Sequence, residues 1–435
     1  MIYQQIDDLT QELDTRADDG YHPNPFKFPP ATASSNKATT YFPLSFSRNY
    51  EKLCKYRISA RSLYLASSLL LKIFVLAFAF ILLMTGFSFF FQWILGLNSK
   101  DLMIELKTIT SREKWLVTEF EKFQRNYLRV YSSHEERTKR FKAFCLNMNV
   151  LEHRLQQEKM LGIKNQTIWG VTDFFDWTEE EMSKLLIPHN YTIKSKTTSM
   201  NKISKVQTKR GYIRPKNWDW RDKGVVTHAK NQLNCGSCWA FSVVAMVETI
   251  HAIHNGTLIG LSEQQLIDCD SAENGCEGGF RLYALRYIRD KGLLVENAYP
   301  YRGNDGKCQL PSGPIDPTQR VFIDNWQSLP SDEEQIADWI ATKGPVTFGM
   351  NATKSMYHYR GGVFSPSQEE CSHESLGSHS MEVVGYGVND QQIPYWILKN
   401  SWGSGYGING GYLHMRRGVN SCGITREVYS ALITR

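Results

Sequence analysis

The 435-residue chain predicts an α+β fold, a mainly helical part followed by a strand-rich part. Two observations carry this. From Trp239 to Ile253 the apolar residues Ala240, Phe241, Val243, Val244, Met246, Val247, Ile250 and Ile253 recur at helical spacing around most of the circumference, and His254-Asn255-Gly256 follows as a stop. That pattern marks a buried helix. Further on, Pro345–Phe348, Val383–Tyr386, Tyr395–Leu398 and Tyr412–Met415 read as short strands. The length suits two or three domains.

Taken in order, residues 1–72 form a tail whose first 40 or so residues are polar and rich in Asp, Pro, Ser and Thr. Such composition cannot bury a core. Asp7, Asp8, Asp18 and Asp19 read there as solvated surface rather than a metal site, and no metal or cofactor is expected. Residues 73–97 carry no charge, and about 20 apolar residues suffice for a transmembrane helix. The run is too long and too far from the start for a cleaved signal peptide. Flanking Lys and Arg tie, with Lys55, Arg57, Arg61 and Lys72 before it and Lys100, Lys107, Arg112 and Lys114 after it, so they do not orient the span. The net charge of +6 is mild. No basic run interleaved with aromatics is present, so nucleic acid is excluded as a partner. From Lys114 to about Leu161 the pattern is helical, and Glu136, Arg140, Phe144, Asn147, Leu151 and Leu155 share one stripe. Glu136 and Arg140 can pair at i, i+4.

Cys238, in Gln232-Leu233-Asn234-Cys235-Gly236-Ser237-Cys238-Trp239, falls at the N-terminus of the buried helix. Free N–H groups and the helix dipole favour a thiolate there. No second Cys-x-x-Cys or His pair at finger spacing supports zinc. A thiolate enzyme needs a base, a group that orients the base, and oxyanion donors. His379, Asn400 and Gln232 are the candidates. Together with Asn400-Ser401-Trp402-Gly403 and Gly385-Tyr386-Gly387, this set resembles the papain-like cysteine proteases of the cathepsin L and B kind, from about Lys114 to Arg435.

The resemblance implies a two-lobed fold, a helical lobe plus a β-barrel lobe, with residues 210–435 as the peptidase. It implies Cys238 as nucleophile, His379 as its proton partner, Asn400 as the group fixing the imidazole, and Trp402 as a shield over that hydrogen bond. Gln232 and the Cys238 N–H would hold the oxyanion, and Gly278 and Gly279 would let substrate backbone approach. Phe280, Gly349 and Ser380 would wall the pocket for the second residue before the cut, with Glu427 as its floor. Leucine or phenylalanine is expected there, with arginine tolerated through Glu427. Setting Cys238 aside, six cysteines remain after residue 234, and fifteen pairings are possible. The resemblance selects Cys235–Cys276, Cys269–Cys308 and Cys371–Cys422.

Disulfides need an oxidising compartment. The C-terminal part is therefore expected in the lumen and residues 1–72 in the cytosol, a type II anchored precursor. Sequons at Asn165, Asn190, Asn255 and Asn351 permit glycosylation on that side. Residues 98–209 resemble a cathepsin propeptide, with an inhibitor domain over about 114–178. The stripe on the long helix matches the propeptide signature except at Leu151 and Leu155. Gly170-Val171-Thr172-Asp173-Phe174-Phe175-Asp176 matches a second signature, with Thr172 in place of Asn. Such a segment blocks the cleft in reverse chain direction, and cleavage is expected near residue 210. Asp176 is expected to have a depressed pKa and to weaken the block in acid. A span before a propeptide resembles the precursors of haemoglobin-degrading proteases of apicomplexan parasites. The expected product acts on proteins or peptides in an acidic lysosome-like or food-vacuole compartment, or is secreted. The competing reading is a non-catalytic papain-like binding protein. Leu233, Ser378, Ser380 and Glu382 depart from the family pattern.

Overall fold

The computed structural model describes residues 99–160, 168–191, 206–207, 211–310 and 319–434. The expected tail and the apolar run at 73–97 lie outside the described residues. Among the described residues no helix is long and apolar enough to cross a membrane.

Two long helices open the described chain, α1 (Ser99–Asn126) and α2 (His134–Met160). The single helical stretch expected from Lys114 to Leu161 is thus broken. The break falls at Leu128, whose φ of 50° is left-handed, a conformation that ends a right-handed helix. Folding back lets Phe120 and Phe123 of α1 pack on Phe144 of α2, with ring centroids 5.3 Å apart in both pairs. A short helix, α3 (Glu179–Ser183), follows, capped by Thr178 and Glu181 in a reciprocal capping box.

The helical lobe is built on α4 (Cys238–Asn255), α5 (Glu263–Cys269) and α6 (Arg281–Lys291). Helix α4 ends where Gly256 takes a φ of 68°, as its sequence suggests. Trp239, Val243, Val244, Met246 and Val247 of α4 share a core with Leu285 and Ile288 of α6.

The other lobe is a seven-stranded antiparallel sheet. Its strands are β1 (Trp218–Asp219), β4 (Asn325–Ser328), β5 (Val346–Thr353), β6 (Ser375–Val388), β7 (Pro394–Lys399), β8 (Tyr412–Arg416) and β9 (Val428–Leu432). The order is β4-β9-β5-β6-β7-β8, with β1 also paired to β6. The expected barrel is therefore a sheet whose end strands, β4 and β8, do not pair with each other among the described residues. Strands β2 (Leu293–Leu294) and β3 (Arg320–Val321) make a separate pair. Helices α7 (Glu333–Thr342) and α8 (Gln368–His373) flank the sheet.

The N-terminal helices do not stand apart. Phe120, Phe144, Met148, Phe174, Phe175, Met182 and Leu186 belong to the same buried cluster as Phe348, Tyr357, Trp402 and Leu413 of the β lobe. The stripe on α2 explains how. Phe144 and Leu151 are buried, and the Asn147 amide donates to the carbonyls of Phe175 and Trp177, both at 3.0 Å. Arg140 reaches the Asp176 carbonyl at 3.0 Å and Glu181 at 2.7 Å. Leu155, in place of a polar residue, packs against the apolar cluster. Thr172 donates its hydroxyl to the Tyr357 carbonyl, so the exchange for Asn keeps a polar tie to the β lobe.

Candidate active site

Cys238 begins α4 with Ser237 before it, and is fully buried. The loop that delivers it is tight. A Cβ at Gly236 would lie 2.5 Å from the Cys276 carbonyl, so only glycine lets Cys235 bond to Cys276 there. All three disulfides, Cys235–Cys276, Cys269–Cys308 and Cys371–Cys422, form as the resemblance implies.

His379 lies on β6 and Asn400 just after β7. Its Nε2 meets Asn400 Oδ1 at 2.7 Å, and Trp402 lies against the imidazole, 4.8 Å between ring centroids. His379 Nδ1 is buried without a hydrogen-bond partner among the described residues. Gln232 donates from Nε2 to the Leu185 carbonyl at 2.8 Å and the Cys235 carbonyl at 2.7 Å. Its Oε1 accepts from Ser401 Oγ at 2.7 Å, which fixes which end of the amide faces the cleft.

The cleft is occupied by the chain itself. Ile187 and Ser378 exchange two backbone hydrogen bonds of 2.8 Å. A Cβ on Gly278 would lie 3.1 Å from Ile187 Cγ2, and one on Gly279 would lie 2.5 Å from the Trp239 ring. Tyr191 packs on Phe280 with the rings tilted and their centroids 5.1 Å apart, and donates to Glu273 Oε2 at 2.7 Å. The segment thus meets Gln232 first, at Leu185, and Gly278 and Phe280 later, at Ile187 and Tyr191.

This occupancy reverses one expectation. The helix N-terminus favours a thiolate, yet burial pushes the Cys238 thiol up to about 11, against hydrogen bonds from Ser380 and the charge of Arg281. Burial likewise pushes His379 down to about 4. With the segment in place, desolvation outweighs the dipole, and the pair is neutral.

A second correction concerns Asp176. Its carboxyl is raised, not depressed, because burial outweighs Arg129 at 3.5 Å and the Tyr131 hydroxyl at 3.0 Å. A raised carboxylate takes its proton more readily when docked, so its titration opposes release in acid. Glu181, five residues on, is lowered instead. Burial raises it, but Lys139, the Thr178 N–H and Arg140 together hold it below the ordinary value.

Of the predicted pocket residues, Gly349, Ser380 and Glu427 come together, but around a side chain not anticipated, while the Phe280 ring faces Tyr191. Arg281 Nη1 donates to Ser380 Oγ at 2.8 Å, and Nη2 reaches the Glu427 carbonyl at 3.1 Å and its carboxylate at 3.2 Å. The carboxylate expected to receive a substrate arginine is paired with the protein's own. The signal was in the sequence, since an arginine directly after Gly278-Gly279-Phe280 opens α6, and the positive end of a helix disfavours a cation.

The other departures also find causes. Leu233 has a φ of 51°, the left-handed region glycine enters freely. Asn231 Oδ1 accepts from its N–H at 2.9 Å. Ser378 uses its backbone to hold Ile187. Glu382 is buried on β6 opposite Lys399; it accepts from Thr249 Oγ1 at 2.8 Å and lies 3.8 Å from Lys399 Nζ. Burial pushes its carboxyl up to about 7.

A cysteine at a helix start on one lobe, a His–Asn pair on the other, and an N-terminal segment lying across both are the arrangement of papain-like cysteine protease precursors. The chain belongs to the papain family of cysteine proteases. The family model, papain family cysteine protease, matches residues 214–432, and the cathepsin propeptide inhibitor domain (I29) matches residues 120–182. The chain is similar to cathepsin F of Mus musculus, 37% identical over 72% of this chain and 64% of that protein. It is similar to cathepsin F of Drosophila melanogaster, 36% identical over 72% of this chain and 50% of that protein. It therefore spans between half and two thirds of the length of these relatives. Its fold is similar to the structure of digestive procathepsin L 3 of Tenebrio molitor larval midgut, with a TM-score of 0.61, 32% identity, and coverage of 73% of this chain and 99% of that one.

Proposed function

We propose that the chain is a cysteine endopeptidase made as an inhibited zymogen. The observation that carries this is the His379 Nε2–Asn400 Oδ1 contact of 2.7 Å, on the strand whose Ser380 bonds to Cys238, with the N-terminal segment's Leu185 carbonyl held by Gln232 Nε2 at 2.8 Å. Once the segment leaves, water regains access and the desolvation that keeps Cys238 and His379 neutral is removed. The helix N-terminus then favours the thiolate and Asn400 the imidazolium.

Cys238 Sγ attacks the scissile carbonyl carbon. The oxyanion forms against Gln232 Nε2 and the Cys238 N–H. His379 gives its proton to the leaving amine, whose C–N bond breaks, and an acyl-enzyme remains. His379 then takes a proton from the water that attacks the thioester carbon; the C–S bond breaks, the product acid leaves, and the thiolate–imidazolium pair is restored. Trp402 keeps bulk water from the His379–Asn400 bond. In these assignments a substrate runs from the Gly278–Phe280 wall towards Gln232. The segment from Leu185 to Tyr191 runs the other way, so no bond of its own is set for attack.

The proposed precursor is anchored through residues 73–97, with the enzyme lumenal and working in an acidic lysosome-like compartment. The three disulfides support a lumenal, oxidising side. The test is to acidify the full chain with a quenched peptide substrate, with and without an epoxysuccinyl inhibitor. Inhibitor-sensitive cleavage that vanishes in Cys238→Ala supports the reading. Cleavage that survives the substitution refutes it.

A further inference from the structure

Arg281 lies among Gly349, Ser380 and Glu427. It is only 5% exposed, and Gly349 leaves it room, because a Cβ at that position would lie 2.5 Å from its Nη1. Ser380 Oγ fixes one nitrogen at 2.8 Å. Tyr429 lies under the guanidinium, 5.9 Å from ring centroid to Cζ. The Arg281 Nε is buried and has no hydrogen-bond partner among the described residues. The carboxylate paired with it, that of Glu427, belongs to a side chain 51% exposed and sits at 3.2 Å. A pair with one partner half in water is held weakly. The residues expected to form the pocket therefore surround a held cation with a spare donor and an exchangeable counter-ion.

We propose that Arg281 is the specificity-determining residue of this cleft, and that the enzyme selects an acidic side chain, aspartate or glutamate, at the second residue before the cut. The inference rests on the endopeptidase reading above. An incoming carboxylate takes Nε and Nη2 together, the two-toothed geometry a guanidinium offers, while Glu427 turns out to solvent. An apolar side chain instead strips water from a cation without replacing a hydrogen bond. A substrate arginine meets Arg281 as a like charge. The tolerance for arginine expected from Glu427 alone is therefore not expected here.

The test uses full-length protein activated in acid and peptides that differ only at the second position before the cut. They are assayed at about pH 6, where Asp and Glu are ionised. Active sites are counted with an epoxysuccinyl probe. Glutamate and aspartate peptides are expected to exceed the leucine peptide in kcat/KM by about 10- to 100-fold, the scale of a charged hydrogen bond. Arg281→Leu reverses the ranking, Arg281→Lys keeps part of it, and Glu427→Gln raises the acidic rates further. If leucine or phenylalanine is cleaved best and Arg281→Leu leaves the ratio unchanged, the inference is overturned while the endopeptidase reading stands. If no peptide is cleaved and the probe does not label Cys238, both are overturned. Should Arg281→Leu fail to fold, the wild-type ranking and the Glu427→Gln shift decide the matter.

Discussion

Replacing His358 by phenylalanine should hold the zymogen closed in acid. His358 lies in the turn after β5, buried beneath the inhibitory domain, with its ring 4.8 Å from that of Phe175. Neither ring nitrogen has a hydrogen-bond partner among the described residues. Burial, with the charges of Arg154 and Lys354, pushes it down to about 3 from the ordinary 6.5. A histidine depressed in the docked state stabilises docking fully above its ordinary value, and that contribution is lost as pH falls from 6.5 towards 3. At about pH 4.5, roughly two units into that window, the loss is about 2.7 kcal/mol for a ring that becomes solvated on release, close to a hundredfold in the docking equilibrium. Phenylalanine cannot charge, so the His358→Phe chain keeps this stabilisation. The assay is the pH at which half of the full-length chain becomes labelled by an epoxysuccinyl probe. The midpoint is expected to move down by about one to two units. A midpoint that stays in place would show that His358 is not part of the acid trigger.

The other predictions concern the site and its cover. Cys238→Ala and His379→Ala should each lower kcat/KM by roughly 10⁴-fold or more, because they act as a unit, with an unchanged melting temperature. Asn400→Ala should cost roughly 10²-fold, mostly in kcat. Asn147→Ala strands two carbonyls and should weaken docking by about 2–3 kcal/mol, measured as faster labelling of Cys238 at neutral pH. Glu181→Gln should weaken docking by only about 1 kcal/mol, since Lys139 is half in water. It should also flatten the labelling profile below the ordinary glutamate value of 4.5, where protonation of wild-type Glu181 adds to release.

The helix from Cys238 and the four strand segments were legible because each rests on a local pattern, and the proposed catalytic set could be named because each member sits in a family motif. The disulfide pairing needed the resemblance, since fifteen pairings fit the sequence equally well. The direction of the Asp176 and Cys238 shifts was not legible. Local rules describe the charges and dipoles nearby, whereas burial depends on which distant segment covers the group, here residues 171–191 over both lobes. Arg281 was missed for a related reason. Its neighbours in space, Gly349, Ser380 and Glu427, are 68, 99 and 146 residues away, and only folding brings them round one guanidinium.

The shared core has a consequence for what cutting the chain achieves. The inhibitory domain is fastened to the β lobe by Phe174, Phe175 and Met182 among the aromatics around Trp402 and Tyr357, not by its peptide connection. Severing the connection near residue 210 therefore turns a tethered inhibitor into a bound one. Before the cut its local concentration is fixed by the linker, however dilute the protein; afterwards it falls with dilution. A nicked chain in a crowded vesicle would stay latent and wake when it is discharged into a larger volume, so that compartment size, as much as cleavage, would time the activity.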